Sequence, residues 1–583
     1  MKIRHIQIVI SWFLPTLLCV VFLWNSSLPL PAAEPQGVPA IKVVYFLPND
    51  CQAPKDRHER LGRVMIHIQD FFRREMERHG YGPMTFALEW ESPGRLHLHE
   101  VRGKHTLQDY HRDSGWDVFE EVRNAWKPQG IDIDKEYVLI VGPFLIWDGD
   151  VAKEWGPYAG GGTPRSGYAW VIDDQLMDAD MLSSKASGGY FFGPCSIGVF
   201  NTKYIGGIAH ELGHCFGLPH DGELDVQKRS LGTSLMGNGN HTYGEELRNE
   251  GRGTFLSHSA ALRLSTSRAF NPEYKSISDP KQWDFDELKA AISNDNLIIT
   301  GHGSGKPLPI AVVAYNDNLD IPSDYDAKSW VAELDHTGEF RFKITEVGQK
   351  SYEMRILAIF ADGETKAIKI RYSGEKRTLT LGPLNSAIDV KKIKQHFLKG
   401  ETAQIKVLLE KLAKQNGSNR DWKRKLNMLT EIDERKSLVS PGSIPANTRK
   451  LDLTMAKTQK AQVGWHAPAR NLMPEDGFIE VNGRFFEFGF YAQSPSIYSF
   501  SLDGKWKRFE FGCGLQDGHP GSVVFVVRGD GKEIFRSGII KNEMLIQERI
   551  NLGTIKELEL ITEDAGDGTA HDWGIWLNPI LTR

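Results

Sequence analysis

Residues 210–221 of the chain read HELGHCFGLPHD, a stretch that holds three histidines and one glutamate at fixed spacing. His210 and His214 lie four residues apart, so a helix through this stretch projects both imidazoles from one face. Two imidazoles at that separation can bind one tetrahedral ion through metal–nitrogen bonds of about 2.0–2.1 Å. The stretch therefore predicts a metal-binding helix.

The residues that follow predict how a third ligand and a base reach the same ion. Gly217 can adopt the left-handed conformation that ends a helix and turns the chain, and this turn brings His220 back toward the helix. Three neutral nitrogens leave a dipositive ion with an open fourth position, as hydrolytic zinc requires. We predict one catalytic zinc ion, held by His210, His214 and His220. Glu211 stands one residue past the first ligand, where its carboxylate can act as general base toward a metal-bound water.

These residues make the segment resemble the metzincin metallopeptidases, whose extended zinc motif HExxHxxGxxH matches at every fixed position. The resemblance implies an α/β catalytic domain, hydrolysis of peptide bonds and a methionine turn beneath the zinc. Met236, in the stretch SLMG at residues 234–237, occupies the place of that methionine. Asp221 follows the third histidine as in the adamalysin (reprolysin) branch, but the cysteine-rich pattern of animal adamalysins is missing. The resemblance assigns the clan and no subfamily.

The resemblance also concerns substrate binding. Residues 168–172 are similar to the edge strand on which metzincins align an extended substrate by strand addition. This implies that Tyr168, Ala169 and Trp170 contact the substrate. An ordinary internal strand is the alternative interpretation of the same segment.

The N-terminal segment predicts the compartment. Lys2 and Arg4 precede an apolar run over residues 6–24, and small residues follow at 32–33, which is the layout of an export signal over residues 1–33. A cleaved signal predicts a secreted, extracellular or periplasmic protein, and an uncleaved membrane anchor is the alternative. Export permits disulfides. A bridge between Cys195 and Cys215 is one interpretation, and a buried free thiol at Cys215 is the other.

Composition limits the classes of partner. Hydrophobic residues make up 40% of the 583 residues and charged residues 25%, which excludes a disordered chain and a multi-span membrane protein. The 70 basic and 75 acidic residues give a net charge of −5. Nucleic acid is therefore not the expected partner, because neutralising phosphates needs a basic face.

The order of sequence patterns predicts a multidomain chain. Patterns of helices and buried strands cover the metzincin-like α/β catalytic domain, alternating patterns indicate two β-sandwiches, and a helical stretch connects them. The predicted domains are the catalytic domain at 41–275, an immunoglobulin-like sandwich at 295–375, the connector at 385–440 and a jelly-roll-like sandwich at 450–583. In the catalytic domain the predicted strands are 41–46, 84–90, 137–141 and 168–172, and the predicted helices are 61–79, 116–126 and 202–216.

The last domain carries a second resemblance. The strand-and-turn stretch GSVVFVVRGDGK at residues 521–532, with DAGDG at 564–568 and the Asp-Trp pair at 572–573, resembles the NPCBM family of carbohydrate-binding modules. Trp465, Trp573 and Trp576 are the candidates for stacking on sugar rings, and buried sandwich tryptophans are the alternative interpretation. Asp564 and Asp567 offer a calcium site, with a plain acidic turn as the alternative.

Two further histidines, His97 and His99, alternate along an apparent strand. Exposed surface side chains are the plain interpretation, and a second metal site is the alternative.

Together these patterns predict a secreted zinc endopeptidase whose C-terminal module holds it at glycoprotein or polysaccharide-rich surfaces. The predicted substrate is a protein or glycoprotein, and carbohydrate is the predicted second ligand. The alternative function is a non-catalytic surface adhesin or glycan-binding protein that retains a metzincin-like fold. Glu211 favours the enzyme, because adhesion does not need a base beside the metal.

Overall fold

The computed structural model describes residues 34–583 except 278–280, 294–295, 322–323, 347, 349, 374–384, 386–387, 391, 394–395, 397–400, 417–419, 432–437, 475–476, 520, 542–543 and 570. The predicted export signal falls on residues 1–33, outside the described residues. Across the described residues, no helix combines the length and the apolar character needed to cross a bilayer. The chain divides into two units, Met1–Ser276 and Ile277–Arg583.

The first unit mixes helices and strands. Its helices are α1 (Arg57–Arg78), α2 (Gly115–Trp126), α3 (Ile197–Cys215), α4 (Asp225–Ser230), α5 (Glu245–Arg248) and α6 (His258–Ser265). Its strands are β1 (Lys42–Leu47), β2 (Trp90–Ser92), β3 (Arg95–Leu96), β4 (His99–Arg102), β5 (Tyr137–Gly142), β6 (Leu145–Asp148), β7 (Val151–Glu154), β8 (Ala159–Gly162), β9 (Gly167–Ile172), β10 (Ser187–Tyr190), β11 (Pro194–Ser196), β12 (Thr233–Ser234) and β13 (Thr254–Phe255).

A five-stranded sheet of order β4-β1-β5-β9-β8 organises this unit. The first four strands are parallel, and β8 runs antiparallel to β9 at the edge. β5 is buried along its whole length, as expected for a strand covered on both faces. The three predicted helices are confirmed as α1, α2 and α3. The predicted strand at 84–90 is wrong, because Ala87 makes only an isolated bridge to Ala40.

Side-chain direction shows which helices cover which face of the sheet. Successive residues of a strand point to opposite faces. A side-chain carbon on Gly160, which is paired with Ala169, would meet α3 at Glu211, so this face carries α3. Trp170 points the other way and packs against Gly115 at the start of α2. The sheet therefore separates α3 from α2.

The second unit is rich in strands and begins with a sandwich. Its seven described strands are β14 (Asp284–Ser293), β15 (Asn296–Ser304), β16 (Ala311–Asn318), β17 (Lys328–Ala332), β18 (Glu339–Ile344), β19 (Ser351–Ile359) and β20 (Thr365–Ser373). They form sheets of order β14-β15-β18 and β17-β16-β19-β20 over one shared core. In β18, Phe340, Phe342 and Ile344 are buried and alternate with exposed residues, as the sequence predicts. β14 begins ahead of the predicted boundary at 295.

The connector that follows contains the helices α7 (Thr402–Asn416) and α8 (Arg420–Glu431). Leu412 of α7 and Met428 of α8 are buried together with Leu472 and Phe485 of the last module. This apolar cluster joins the helical connector to that module.

The last module contains two large sheets and one two-stranded sheet. Its strands are β21 (Lys450–Asp452), β22 (Lys460–Gln462), β23 (Ile479–Val481), β24 (Arg484–Phe486), β25 (Gly489–Tyr491), β26 (Ser496–Ser501), β27 (Arg508–Leu515), β28 (Ser522–Gly529), β29 (Lys532–Arg536), β30 (Ile540–Lys541), β31 (Leu545–Asn551), β32 (Glu557–Asp564) and β33 (Gly574–Thr582). One large sheet has the order β21-β33-β27-β31, with β25 also on β33, and the other has the order β22-β26-β32-β28-β29, with β30 also on β28. The two-stranded sheet is β23-β24. Apolar residues of both large sheets share one core, so the module is a β-sandwich. The chain as a whole is multidomain and strand-rich, with a helical share concentrated in its first unit.

Candidate metal centre and active site

Helix α3 presents the predicted ligands. The Ser196 hydroxyl caps its first turn by accepting from the Val199 backbone N–H at 3.2 Å. At the other end, the Gly217 and Leu218 N–H groups donate to helix carbonyls, and Gly217 has a φ of +86°. Only a residue without a side chain adopts that conformation at little cost, so Gly217 turns the chain back as the sequence predicts.

The structure brings the three histidines together. The Nε2 atom of His214 lies 3.1 Å from Nε2 of His210 and 3.0 Å from Nε2 of His220. Bonds of about 2.0–2.1 Å to one tetrahedral ion place nitrogens about 3.3 Å apart, close to these separations. The donor set and its spacing therefore fit a zinc ion.

Hydrogen bonds orient the rings of His210 and His214. His210 Nδ1 lies 2.7 Å from the Leu235 carbonyl, and His214 Nδ1 lies 2.9 Å from the Leu218 carbonyl. A carbonyl accepts, so each Nδ1 carries the proton and each Nε2 lone pair is directed to the shared centre. Burial, with His214 as the next cause, lowers the pKa of His210 to about 3, which keeps this ring in the neutral form that binds metals.

Glu211 follows His210 on α3 and is largely buried. Burial raises the pKa of its carboxyl to about 8, and the positive charge of Lys203 opposes this shift. A carboxyl with a raised pKa takes up a proton more readily than an exposed glutamate, as a general base must.

Met236 and Asp221 support the centre from below. Met236 is fully buried, and its sulfur lies 2.4 Å from the point that a side-chain carbon on Gly213 would occupy. The sulfur thus packs on α3 one residue before His214. The buried Asp221 carboxylate accepts hydrogen bonds from three hydroxyls, those of Ser234 at 2.9 Å, Ser257 at 2.5 Å and Ser259 at 2.6 Å. Asp221 therefore fixes the chain after His220 to the methionine turn and to α6.

The predicted substrate strand is internal. Tyr168, Ala169 and Trp170 lie in β9, which pairs with β5 on one side and β8 on the other. Tyr168 and Trp170 also point away from α3, so the prediction that these three residues contact substrate is wrong. The edge is β8, whose glycines at 160–162 read as a loop in the sequence. Side-chain carbons on Gly160 and Gly162 would lie 2.3 and 2.0 Å from carbonyl oxygens of α3, so only glycine lets this strand pass so close to the helix.

Of the two interpretations of Cys195 and Cys215, the structure agrees with free thiols and not with a bridge. All four cysteines that the structure describes are free thiols. Cys215 is fully buried at the end of α3, where it behaves as a small apolar side chain.

Tyr158 lies near the centre but belongs to no motif recognised in the sequence. Tyr158, before β8, packs on α3 where a side-chain carbon on Gly207 would lie 1.8 Å from its hydroxyl. That hydroxyl is buried and makes no hydrogen bond within the described residues. Glu211 is the second cause, after burial, that raises the pKa of Tyr158, so the two side chains are neighbours. The pair Gly206-Gly207 indicated a close neighbour for the helix but not its identity.

The tryptophans of the last module separate into core and surface. Trp576 is fully buried between Phe511 and Phe525, with ring centroids 5.2 and 5.0 Å away, so it cannot stack on a sugar. Trp573 is nearly buried and stacks on His519 at 4.0 Å. Trp465 is 61% exposed. Of the three predicted candidates, Trp465 is the one whose ring is open to solvent.

The acidic turn of this module makes local hydrogen bonds. Asp564 accepts from the Gly566 N–H, and Asp567 accepts from the Ser522 hydroxyl at 2.7 and 2.8 Å. These contacts are those of a plain acidic turn, and the calcium prediction gains no support from them.

A second group of potential ligands lies in the first unit. Among the described residues, Glu89, His97 and His99 offer donor atoms within 4.8 Å of one another. The Glu89 carboxylate accepts from Lys42 and lies 2.7 Å from Nε2 of His99. The Lys42 ammonium already supplies the positive charge that a metal ion would bring, so this group is a surface ion-pair network.

Comparisons with known proteins bear on the fold of the chain and on its C-terminal module. No curated protein matches the chain. Among solved structures, a catalytically inactive OgpA from Akkermansia muciniphila in complex with an O-glycopeptide (glycodrosocin) substrate is similar at 24% identity and a TM-score of 0.52, over 61% of this chain and 98% of OgpA. Wild-type OgpA in two crystal forms is similar at 24 and 25% identity, each with a TM-score of 0.51, over 61% of this chain and 98 and 97% of OgpA. This likeness is one of fold.

A protein-family model matches the C-terminal sandwich. The family model for the NPCBM/NEW2 domain matches residues 449–582. This match agrees with the resemblance carried by the strand-and-turn stretch at 521–532. Residues 449–582 therefore form an NPCBM/NEW2 domain.

Proposed function

We propose that this protein is a secreted, zinc-dependent endopeptidase of metzincin type that hydrolyses peptide bonds in glycoproteins. The observation that carries the proposal is the convergence of three histidine Nε2 atoms, with that of His214 3.1 Å from His210 and 3.0 Å from His220, on a helix that also carries the buried Glu211. His210, His214 and His220 would hold the zinc ion, which lowers the pKa of a bound water and polarises a scissile carbonyl.

The residues of the chain supply the proton transfers. In this proposal, Glu211 accepts the proton of the attacking water and delivers it to the leaving amine. Its burial supports this role, because a raised pKa makes the carboxylate a stronger base than that of an exposed glutamate. Met236 and Asp221 would keep the ligands in place without touching the substrate.

The edge strand supports a peptide substrate. β8 runs beside α3 at Glu211 and His214, and it lies at the edge of the sheet in the described part of the chain. An extended peptide that pairs with β8 would add a strand to the sheet and pass close to the predicted zinc. We therefore assign substrate alignment to β8 in place of Tyr168, Ala169 and Trp170.

Two observations support glycoproteins as the substrate class. The chain carries an NPCBM/NEW2 domain, and its fold is similar to that of OgpA, which was crystallised with an O-glycopeptide substrate. In this proposal the C-terminal module binds carbohydrate through Trp465, whose ring is exposed. Residues 1–33 would direct export, with a membrane anchor as the alternative.

Replacement of the base tests the proposal. Glu211→Gln keeps the shape of the side chain but removes the base, so we expect zinc to remain bound and hydrolysis to fall about 10²–10⁴-fold. The measurement is cleavage of glycosylated and enzymatically deglycosylated substrate proteins, with a zinc chelator as a second control.

The outcomes separate the competing functions. Equal hydrolysis by Glu211→Gln and the parent chain would remove the general-base role. Glycan binding by both chains without any hydrolysis would favour the non-catalytic adhesin. Cleavage that ignores glycosylation would remove the glycoprotein specificity and leave the peptidase in place.

A further inference from the structure

The hairpin formed by β10 and β11 carries an unusual tip. Phe192 is 89% exposed, the highest fraction among the large apolar side chains that the structure describes. Its φ of +55° lies in the left-handed region, which a bulky side chain disfavours. The Phe191 N–H donates to the Gly193 carbonyl at 2.8 Å and closes the tip. Both the exposure and the backbone conformation are unfavourable, and such features concentrate where a protein contacts a ligand.

This tip lies beside the proposed metal centre. Lys203 Nζ lies 5.3 Å from the centroid of the Phe191 ring. Lys203 is on α3, and positions 203, 207, 210 and 214 follow one face of that helix. The Phe191 ring also lies 5.2 Å from the ring of His241, which follows the methionine turn. The rings of Phe192 and Phe191 are tilted by 36° with their centroids 4.4 Å apart, so the two side chains form one aromatic surface next to His241.

Polar groups lie next to Phe191. Lys203 Nζ lies 3.5 Å from a carboxylate oxygen of Glu154, at the end of β7. This part of the surface therefore offers an aromatic face, an ammonium, a carboxylate and the His241 imidazole. A pyranose matches this set, because one face of the ring carries C–H groups and its edge carries hydroxyls. An apolar side chain of a peptide matches it poorly, since it would desolvate Lys203 and Glu154 without replacing their hydrogen bonds to water.

We propose that Phe192, supported by Phe191, is the platform on which the sugar of a glycopeptide substrate stacks, while Lys203 and Glu154 bind its hydroxyls. This inference rests on the proposed function and specifies where the glycan binds. The C-terminal module would be a second carbohydrate site, used for attachment to a surface.

The experiment compares two peptides of one sequence, with and without a single O-linked N-acetylgalactosamine on a threonine. Binding is measured on the Glu211→Gln chain and hydrolysis on the chain with Glu211. Phe192→Ala should weaken binding of the glycopeptide about five- to tenfold and raise its KM by a similar factor. Affinity for the bare peptide should not change. Phe192→Trp should restore the sugar preference.

Trp116→Ala is the matched control, since Trp116 is 56% exposed and lies against Tyr168 and Trp170, on the face of the sheet opposite α3. It should leave both peptides unaffected. Equal losses on both peptides, or no loss on the glycopeptide, would overturn the platform. Absence of hydrolysis by the zinc-loaded chain would overturn the proposed peptidase, while the binding arm would still decide the role of Phe192.

Discussion

The metal-binding helix and the C-terminal module differ in how a sequence pattern maps onto space. In α3, the spacing of four residues places His210 and His214 on one face whatever surrounds the helix, and Gly217 returns His220 to them. In the module, Trp573 and Trp576 lie close together in sequence, yet one borders the surface and the other is in the core. A polar motif on one helix predicts a site, whereas aromatic residues in a sandwich predict only that a sandwich forms.

The largest expected effect is a loss of stability on replacement of Trp576, which tests whether this tryptophan belongs to the core of the module. Its ring is fully buried between Phe511 and Phe525, so Trp576→Ala should lower the free energy of unfolding of the module by about 3–5 kcal/mol. Denaturant unfolding of the full chain, followed by the fluorescence of the module, measures this loss. An unfolding transition within about 0.5 kcal/mol of the parent would mean that Trp576 is not a core residue.

The second effect concerns the edge strand. A side-chain carbon on Gly160 would lie 2.3 Å from the Glu211 carbonyl oxygen and 3.0 Å from the Cβ of His214. Gly160→Ala must therefore displace β8 from α3, and we expect kcat/KM for a peptide to fall about 100-fold. Gly538→Ala, in the C-terminal module, is the control, because no atom lies within 4 Å of the added carbon. Unchanged hydrolysis by Gly160→Ala would contradict the alignment of substrate on β8.

The smallest effect on stability concerns Trp465. Its ring is mostly exposed, so Trp465→Ala should change the free energy of unfolding by less than about 0.5 kcal/mol. Retention of the full chain on immobilised glycans should nevertheless fall. Retention equal to that of the parent would assign attachment to another surface of the module.

Sequence patterns predicted the elements near α3 better than the strand that borders them. The three main helices of the first unit carry apolar periodicity, and β5 carries an unbroken apolar run, so both were predictable. The edge strand was missed because Gly160, Gly161 and Gly162 lack the branched side chains that mark strands. Their absence is a consequence of packing on α3, a long-range contact that no local pattern records.

The residues that surround the proposed zinc site could not be predicted from sequence patterns either. Tyr158 and Phe192 come from a loop and a hairpin tip, and neither has a spacing that relates it to the zinc motif, whereas Lys203 lies seven residues before His210 on the same helix. Cys195 and Cys215 lie close to the motif along the chain, yet both are free thiols, since nearness in sequence does not bring two sulfurs within bonding distance.

The zinc content of the purified chain, compared with that of His220→Ala, tests the central claim most directly. His220 is the ligand that lies outside α3, and its place depends on the turn at Gly217. We predict one zinc ion per parent chain by mass spectrometry of the metal, and loss of that ion from His220→Ala. A parent chain without zinc, or a His220→Ala chain that retains it, would contradict a centre built by these three histidines.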